Sequence, residues 1–198
     1  MAYLHFKKKI IIENINTIMA INCNLNKNLL KGDTCAYVLN EVKDLYLINY
    51  NDVESAPVYD CTSGSEVSAI TLASGATGFA HIEPTKNSVT YTDELVVEDS
   101  GAKYRTHTLT FGLPGNYDKD MVCSVDALSL GRFFAVVKTA GGQYLALGRT
   151  AGLEASEQSI NGGADNNGIT VTLTANVAES ALPLSTGAVE TLLSNIIA

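Results

Sequence analysis

The sequence predicts a mainly β protein: an antiparallel β-sandwich or barrel with one flanking α-helix, an N-terminal arm and a short C-terminal helix. Two alternating runs indicate strands, Tyr104–Phe111 and Ile169–Thr174, each with threonine at every second position for three positions. Met121, Val125 and Leu128 follow the spacing of one helical face, which indicates a helix between these strands. Because strands outnumber helices and short glycine turns join them, antiparallel layers are expected.

The first half of the chain contains short strands separated by polar turns. Leu45–Tyr50 is an apolar run followed by turn residues, and Val67–Leu72 is a shorter run between loops. Ser88–Val97 is a longer β run that ends before Asp99–Gly101. Because this turn contains glycine and is followed at once by Tyr104–Phe111, the two runs are predicted to form a hairpin.

The helix is predicted near residues 117–130, between a Gly-Pro break and a glycine. Asn116 is a favourable N-cap residue, and Asp118 and Asp120 would lie in the first turn, where carboxylates stabilise the positive end of the helix dipole. Gly131 follows the last apolar position and is predicted to end the helix as a left-handed cap.

The second half begins with a second hairpin and ends with a second helix. Arg132–Thr139 and Gln143–Leu147 flank a glycine turn. Glu154–Gly168 is polar and glycine-rich and is predicted to be a loop, while Thr186–Ile197 has helical periodicity. The apolar side of that last helix is predicted to comprise Val189, Leu192, Leu193, Ile196 and Ile197.

Composition excludes several classes of protein. The chain has 198 residues, of which 46% are apolar and 17% charged, against about 25% charged in a typical domain. This composition is too apolar for a disordered protein. No apolar run approaches the roughly 20 residues that span a bilayer, so no membrane partner is expected. A surface with so few charges is typical of a chain that contacts other copies of itself.

Charge is distributed unevenly along the chain, whose net charge is −8. We divide the chain into an arm, residues 1–32, and a single domain, residues 33–198. The arm carries five lysines and one acid, whereas the residues after 150 carry five acids and no Lys or Arg. This asymmetry predicts head-to-tail attraction between copies. The candidate assembly residues are Lys7, Lys8, Lys9, Lys27 and Lys31 in the arm, and Glu154, Glu157 and Asp165 in the predicted loop.

No pattern of chemically active residues predicts an enzyme, a cofactor or a metal site. The four cysteines, at 23, 35, 61 and 123, are too far apart for a C-x-x-C pair, and the three histidines, at 5, 81 and 107, show no ligand spacing with them. The cysteines are predicted to be reduced and partly buried. His107 alternates with apolar residues and is predicted to be a half-buried structural side chain. No catalytic residue is assigned.

Two threonine rows, 106/108/110 and 170/172/174, permit more than one interpretation. Threonine arrays of this kind occur in ice-binding proteins, but those need a fixed repeat that the chain lacks. Threonine also has high β propensity and suits a polar sheet face with little charge, which is the favoured interpretation. The acidic domain argues against tight nucleic-acid binding, which requires clustered Lys and Arg.

The order of motifs in the second half resembles the tail tube proteins of long-tailed bacteriophages and the related inner tubes of contractile injection systems. The hairpin reads V-V-K-T-A-G-G-Q-Y-L-A-L-G, and it is followed by Gly152-Leu153, then by Asp165-Asn-Asn-Gly168 leading into the threonine-alternating strand. The similarity covers roughly residues 88–178.

The resemblance implies a structural virion protein whose rings, commonly hexameric in that family, stack into a hollow tube that conducts DNA. It implies that the partners are other copies of the chain, the tape measure protein and the tail terminator, with DNA only as a non-specific cargo. It also implies location in the virion tail, and in the host cytoplasm before assembly. An acidic channel would repel phosphates, so DNA would pass without binding.

Two other classes remain open. The chain could be an inner tube or baseplate-hub subunit of a contractile injection system, or a β-sandwich binding or adhesin module. A tube subunit is expected to form rings or filaments, whereas a binding module is expected to remain a monomer. If the chain is a subunit of a tail tube or of an injection system, the predicted loop Glu154–Gly168 is expected at an interface, with its acids facing the basic arm of a neighbour.

Overall fold

The computed structural model describes residues 41–58, 65–85, 87–114, 119–162 and 168–197. Within these ranges the chain is mainly β with two helices, which confirms the predicted mainly β class with a flanking and a C-terminal helix, while the predicted arm, residues 1–32, lies outside the described residues. The strands are β1 (Val42–Asn49), β2 (Val53–Ser55), β3 (Thr71–Leu72), β4 (Ala80–Ile82), β5 (Thr90–Val97), β6 (Lys103–Pro114), β7 (Arg132–Thr139), β8 (Tyr144–Leu147), β9 (Leu153–Asn161), β10 (Gly168–Val177) and β11 (Leu182–Pro183). The helices are α1 (Lys119–Leu130) and α2 (Thr186–Ser194).

Two antiparallel layers form most of the fold. The first, here named the central sheet, has the order β4-β1-β7-β8-β11. The second, here named the threonine sheet, has the order β9-β10-β6-β5. The two layers are joined where Arg132 and Phe133 at the start of β7 pair with Glu154 and Leu153 at the start of β9.

The first hydrophobic core lies between the two sheets and under α1. Alternation in β6 and β10 turns Leu109, Phe111 and Val171 inward, and all three are fully buried. Val125 and Leu128 of α1 pack into the same core, as their i, i+3 spacing requires.

The second core lies on the opposite face of the central sheet. β1 and β7 are buried on both faces, so they are apolar in a continuous run instead of an alternating one. Phe134 of β7 and Phe79 pack there against Ala188 and Leu192 of α2. Ser185 caps α2 by accepting a hydrogen bond from the backbone N–H of Ala188.

Both predicted hairpins are confirmed. Glu98 and Gly101 close the β5–β6 turn, and Gly101 has a φ of +84°. Gly142 has a φ of +83° in the β7–β8 turn, where its N–H bonds to the carbonyl of Thr139. The run Val67–Leu72 is only partly a strand, because β3 contains just its last two residues.

Three predictions about local structure are wrong in whole or in part. Gly131 ends α1 without a left-handed φ; it is needed for space, because a Cβ there would overlap the ring of Phe133 and lie 2.8 Å from the carbonyl oxygen of Ala127. The predicted loop Glu154–Gly168 begins within a nine-residue strand, β9. The predicted terminal helix is confirmed, but it ends at Ser194, before Ile197, and it buries Ala188 and Leu192, while Leu193 and Ile197 of its predicted apolar side are exposed.

Candidate functional site

The two acids of the predicted interface that the structure describes lie on strand β9. Glu154 accepts a hydrogen bond on Oε1 from Arg132 Nε at 2.8 Å, and both side chains are more than half exposed. Glu157 is exposed and lies opposite Thr172 of β10. An exposed ion pair contributes only about 0–1 kcal/mol, so Glu154 is a weak anchor by itself.

The other candidate assembly residues lie outside the described residues. These are Lys7, Lys8, Lys9, Lys27, Lys31 and Asp165. The predicted contact between the arm and the acids of Glu154–Gly168 therefore stays a prediction, and so does the N-cap at Asn116.

Eight threonines share the outer face of the threonine sheet. Cross-strand pairing sets their arrangement: Thr110 lies between Thr90 of β5 and Thr172 of β10, and Thr108 lies between Thr92 and Thr174. The hydroxyls of Thr110 and Thr172 are 3.1 Å apart and share a hydrogen bond. The favoured interpretation of the two threonine rows, one polar sheet face, agrees with this register.

The charges on that face are mostly acidic. Glu94 of β5 lies opposite Thr106, and Glu157 and Glu154 border the other side of the sheet on β9. Within the described residues, the basic side chain beside this face is Arg132, which is already paired with Glu154. A polar, weakly acidic surface of this kind repels phosphates and offers no cation for counterion release.

The inner face of the β5–β6 hairpin is left largely uncovered at its turn end. Leu95 and Val97 pair with Arg105 and Lys103. They lie on the same face of the sheet as Leu109, which is part of the core. Yet their side chains are 58% and 56% exposed. β5 also forms the edge of the sheet, with β6 as its strand partner within the described ranges. An apolar edge with open backbone groups is prone to pair with another chain.

The opposite edge of the threonine sheet carries a second apolar surface. Ile160 of β9 is 51% exposed, although its partner Ile169 is buried. Leu130, the last residue of α1, is 89% exposed, and α1 packs along β9. A hydrogen bond between Ser129 and Gln158 joins that helix to the strand.

A charged cluster lies beneath the threonine sheet. Asp93 Oδ1 accepts from Arg105 Nε at 2.5 Å, and its Oδ2 accepts from the backbone N–H of Ala181 at 2.9 Å. Burial alone would raise the pKa of Asp93, but these hydrogen bonds hold that pKa below its ordinary value. The carboxylate therefore ties the edge strand β5 both to β6 and to the segment after β10.

His107 is fully buried beside this carboxylate, so the prediction of a half-buried side chain understates its burial. Its Nδ1 accepts a hydrogen bond from the backbone N–H of Gly148 at 3.2 Å, and its Nε2 lies 3.4 Å from Asp93 Oδ1. Burial lowers the pKa of His107, and the nearby charge of Asp93 opposes that effect only in part. The ring is neutral at neutral pH.

A second cluster lies on the central sheet. Asp44 Oδ2 lies 3.1 Å from Lys138 Nζ, and its Oδ1 lies 3.4 Å from His81 Nε2. The ring of His81 also stacks on Tyr46. Burial would raise the pKa of Asp44, but Lys138 and His81 together lower it. Because its charges pair with one another, this cluster offers little to a ligand.

The described ranges contain no group of three His, Cys, Asp or Glu side chains that could hold a metal ion. Cys123, the cysteine that these ranges include, is free and exposed, so its predicted partial burial is wrong. Within the same ranges, no helix is long and apolar enough to cross a membrane.

Comparisons of the chain with models of protein families, with curated proteins and with solved structures find no match.

Proposed function

We propose that the chain is a structural subunit that assembles into rings and stacks into a DNA-conducting tube of the bacteriophage tail type. In this proposal the threonine sheet lines the channel, and its two edges form the contacts within a ring. The tape measure and tail terminator proteins are the proposed partners at the ends of the tube, and the virion tail is the proposed location.

The observation that carries this proposal is the exposure of Leu95 and Val97. Burial of a leucine or valine side chain contributes about 1.5–3 kcal/mol, so two that remain open on a core-side face favour a partner. Their strand is an open edge, which adds unpaired backbone groups to the same surface. A second copy of the chain is the partner that fits, because the opposite edge of the sheet presents Ile160 and Leu130.

The placement of these surfaces favours a ring over a symmetric dimer. The β5 edge and the α1–β9 side differ in sequence and lie on opposite sides of the threonine sheet, where β9 pairs with β7 only through its first two residues. When two different surfaces of one chain meet, the contact is head-to-tail, and it generates a ring if the rotation closes or a filament if it does not.

The outer face of the threonine sheet suits the wall of a channel. It carries the threonine hydroxyls, and Glu94 and Glu157 give it a weak negative charge. DNA would be repelled at short range and would find no cluster of Lys or Arg to bind. An inner tube of a contractile injection system would need the same ring contacts. The assembly experiment below therefore tests both proposed functions.

Replacing both exposed apolar residues of the hairpin should abolish or weaken assembly. In Leu95→Thr/Val97→Thr, β propensity is kept while the apolar contact is lost. Assembly is expected to remove these side chains from water. A loss of about 2 kcal/mol at each contact between two subunits weakens their association by about thirtyfold. Sedimentation velocity over a concentration series measures the shift.

A matched control lies on the same strand. Glu94→Thr/Val96→Thr places the same residue type on the outer face of β5, and it should assemble like the original chain. If both double variants assemble equally well, the hairpin is not an assembly surface. A chain that stays monomeric at every concentration would favour the binding or adhesin module instead.

A further inference from the structure

His107 lies between two partners, Gly148 and Asp93, and the neutral ring can serve both at the same time. A backbone N–H can only donate, so Nδ1 must be the acceptor for Gly148, and the proton of the neutral ring lies on Nε2. Nε2 is buried and makes no hydrogen bond of normal geometry within the described residues. It faces Asp93 Oδ1 at 3.4 Å.

Protonation changes what the ring can do. An imidazolium is a donor at both nitrogens, so a proton on Nδ1 would face the N–H of Gly148 donor to donor. The same proton strengthens the attraction of the ring for Asp93, which stays ionised because Arg105 and Ala181 bond to it. The charged ring can keep Asp93 as a partner only if it gives up Gly148.

Gly148 begins the turn that connects the two sheets. The N–H of Gly152 bonds to its carbonyl at 2.7 Å, and both glycines have a positive φ. Arg149 in this turn pairs with Glu179 and donates to the carbonyl of Ala56 at 2.8 Å. The carbonyl of Thr150 accepts from the hydroxyl of Tyr50. A change at Gly148 therefore reaches contacts made by both layers.

We propose that His107 is an acid-sensitive switch, whose protonation breaks the Gly148 hydrogen bond and opens the turn between the central sheet and the threonine sheet. The groups that face the ring are Asp93 from β5, Arg105 from its own strand β6, and Glu179 from the segment after β10. The charge and the backbone of Glu179 also favour the protonated ring, and Arg149 of the turn is paired to Glu179. β10 contributes Ala175, which is apolar, opposite His107.

The sign of the effect follows from burial. The pKa of His107 in the folded chain is below its ordinary value, so the unfolded chain takes up the proton more readily. Stability that is present above the ordinary histidine pKa of about 6.5 is therefore lost as the pH falls from there toward the folded pKa. Opening of the turn is expected in the same window.

Hydrogen–deuterium exchange of the full chain, read by mass spectrometry, tests the proposal from about pH 7.5 to about pH 5. Exchange at the ring C2 position reports protonation of His107, and amide exchange, corrected for its intrinsic pH dependence, reports the turn. We expect protection of Gly148–Gly152 to fall roughly tenfold or more as His107 titrates. Protection of the turn at Glu98–Gly101, which lacks a histidine, should stay constant.

Two variants sharpen the result. In His107→Asn the side-chain oxygen can accept from Gly148 at every pH, so the pH dependence of the turn should disappear. His81→Asn, a change at a more exposed histidine, should leave it intact. The proposal is overturned if His107 titrates while Gly148–Gly152 stays protected. It is equally overturned if both turns lose protection together, because that is general acid unfolding.

Discussion

Replacing Phe111 with alanine should lower the free energy of unfolding by about 3–5 kcal/mol. Phe111 is fully buried near the C-terminal end of β6, opposite Val171, in the core between the two sheets. The loss combines the transfer free energy of a phenyl ring with the cavity that remains, because strands pinned by hydrogen bonds on both sides cannot collapse into it. Native domains have only about 5–15 kcal/mol in total, so a large part of the stability is at stake.

Urea unfolding of the unassembled chain measures this difference. Leu130→Ala provides the control: it removes an apolar side chain that is 89% exposed, and it should change stability by less than about 0.5 kcal/mol. A loss below about 1 kcal/mol for Phe111→Ala would mean that the two sheets do not pack as described.

Replacing Gly78 with alanine should cost about 2–4 kcal/mol. Gly78 has a φ of +101°, and a Cβ there would lie 2.5 Å from the backbone oxygen of Asn195. That oxygen also accepts the N–H of Phe79 at 2.8 Å, so it cannot move away without breaking the contact between this segment and the end of α2. Both backbone strain and a clash with rigid atoms contribute.

Gly75→Ala separates the two contributions. Gly75 has a φ of +85°, but nothing lies within 4 Å of its added Cβ, so only the backbone strain of about 1–2 kcal/mol is expected. Thermal unfolding of both variants measures the difference. Equal losses would show that the clash with Asn195 is relieved, and that the end of α2 is not held against Phe79.

Periodicity predicted most of the fold because most strands have one face in a core and one outside it. In β6 and β10, burial of every second residue produces the alternation of threonine with Leu109 or Val171 that the sequence displays. β7 was predicted as one arm of a hairpin around a glycine turn, and its continuous apolar run reflects burial on both faces.

β9 could not be predicted because neither of its faces has a regular pattern. The pairing with β10 shifts between Thr172 and Leu173, so a bulge near Ser156 breaks the alternation. Its outward residues are acids and serines with low β propensity, and pairing with β10 overrides that propensity. The predicted loop was therefore wrong for a physical reason.

The candidate surfaces were only partly visible in the sequence. The threonine rows could be identified, but their alignment across β5, β6 and β10 depends on register, which the sequence does not display. The exposure of Leu95 and Val97 could not be predicted, since apolar strand residues are normally interpreted as core. The cluster of Asp93, His107 and Gly148 joins segments up to 55 positions apart.

The size of the purified full-length chain is the most direct test of the proposed function. Sedimentation velocity, with negative-stain electron microscopy of the same sample, should show rings with a central channel, or tubes made of stacked rings. The fraction assembled should rise with protein concentration. A single 21.0 kDa species at every concentration, with no rings or tubes on the grid, would contradict the account.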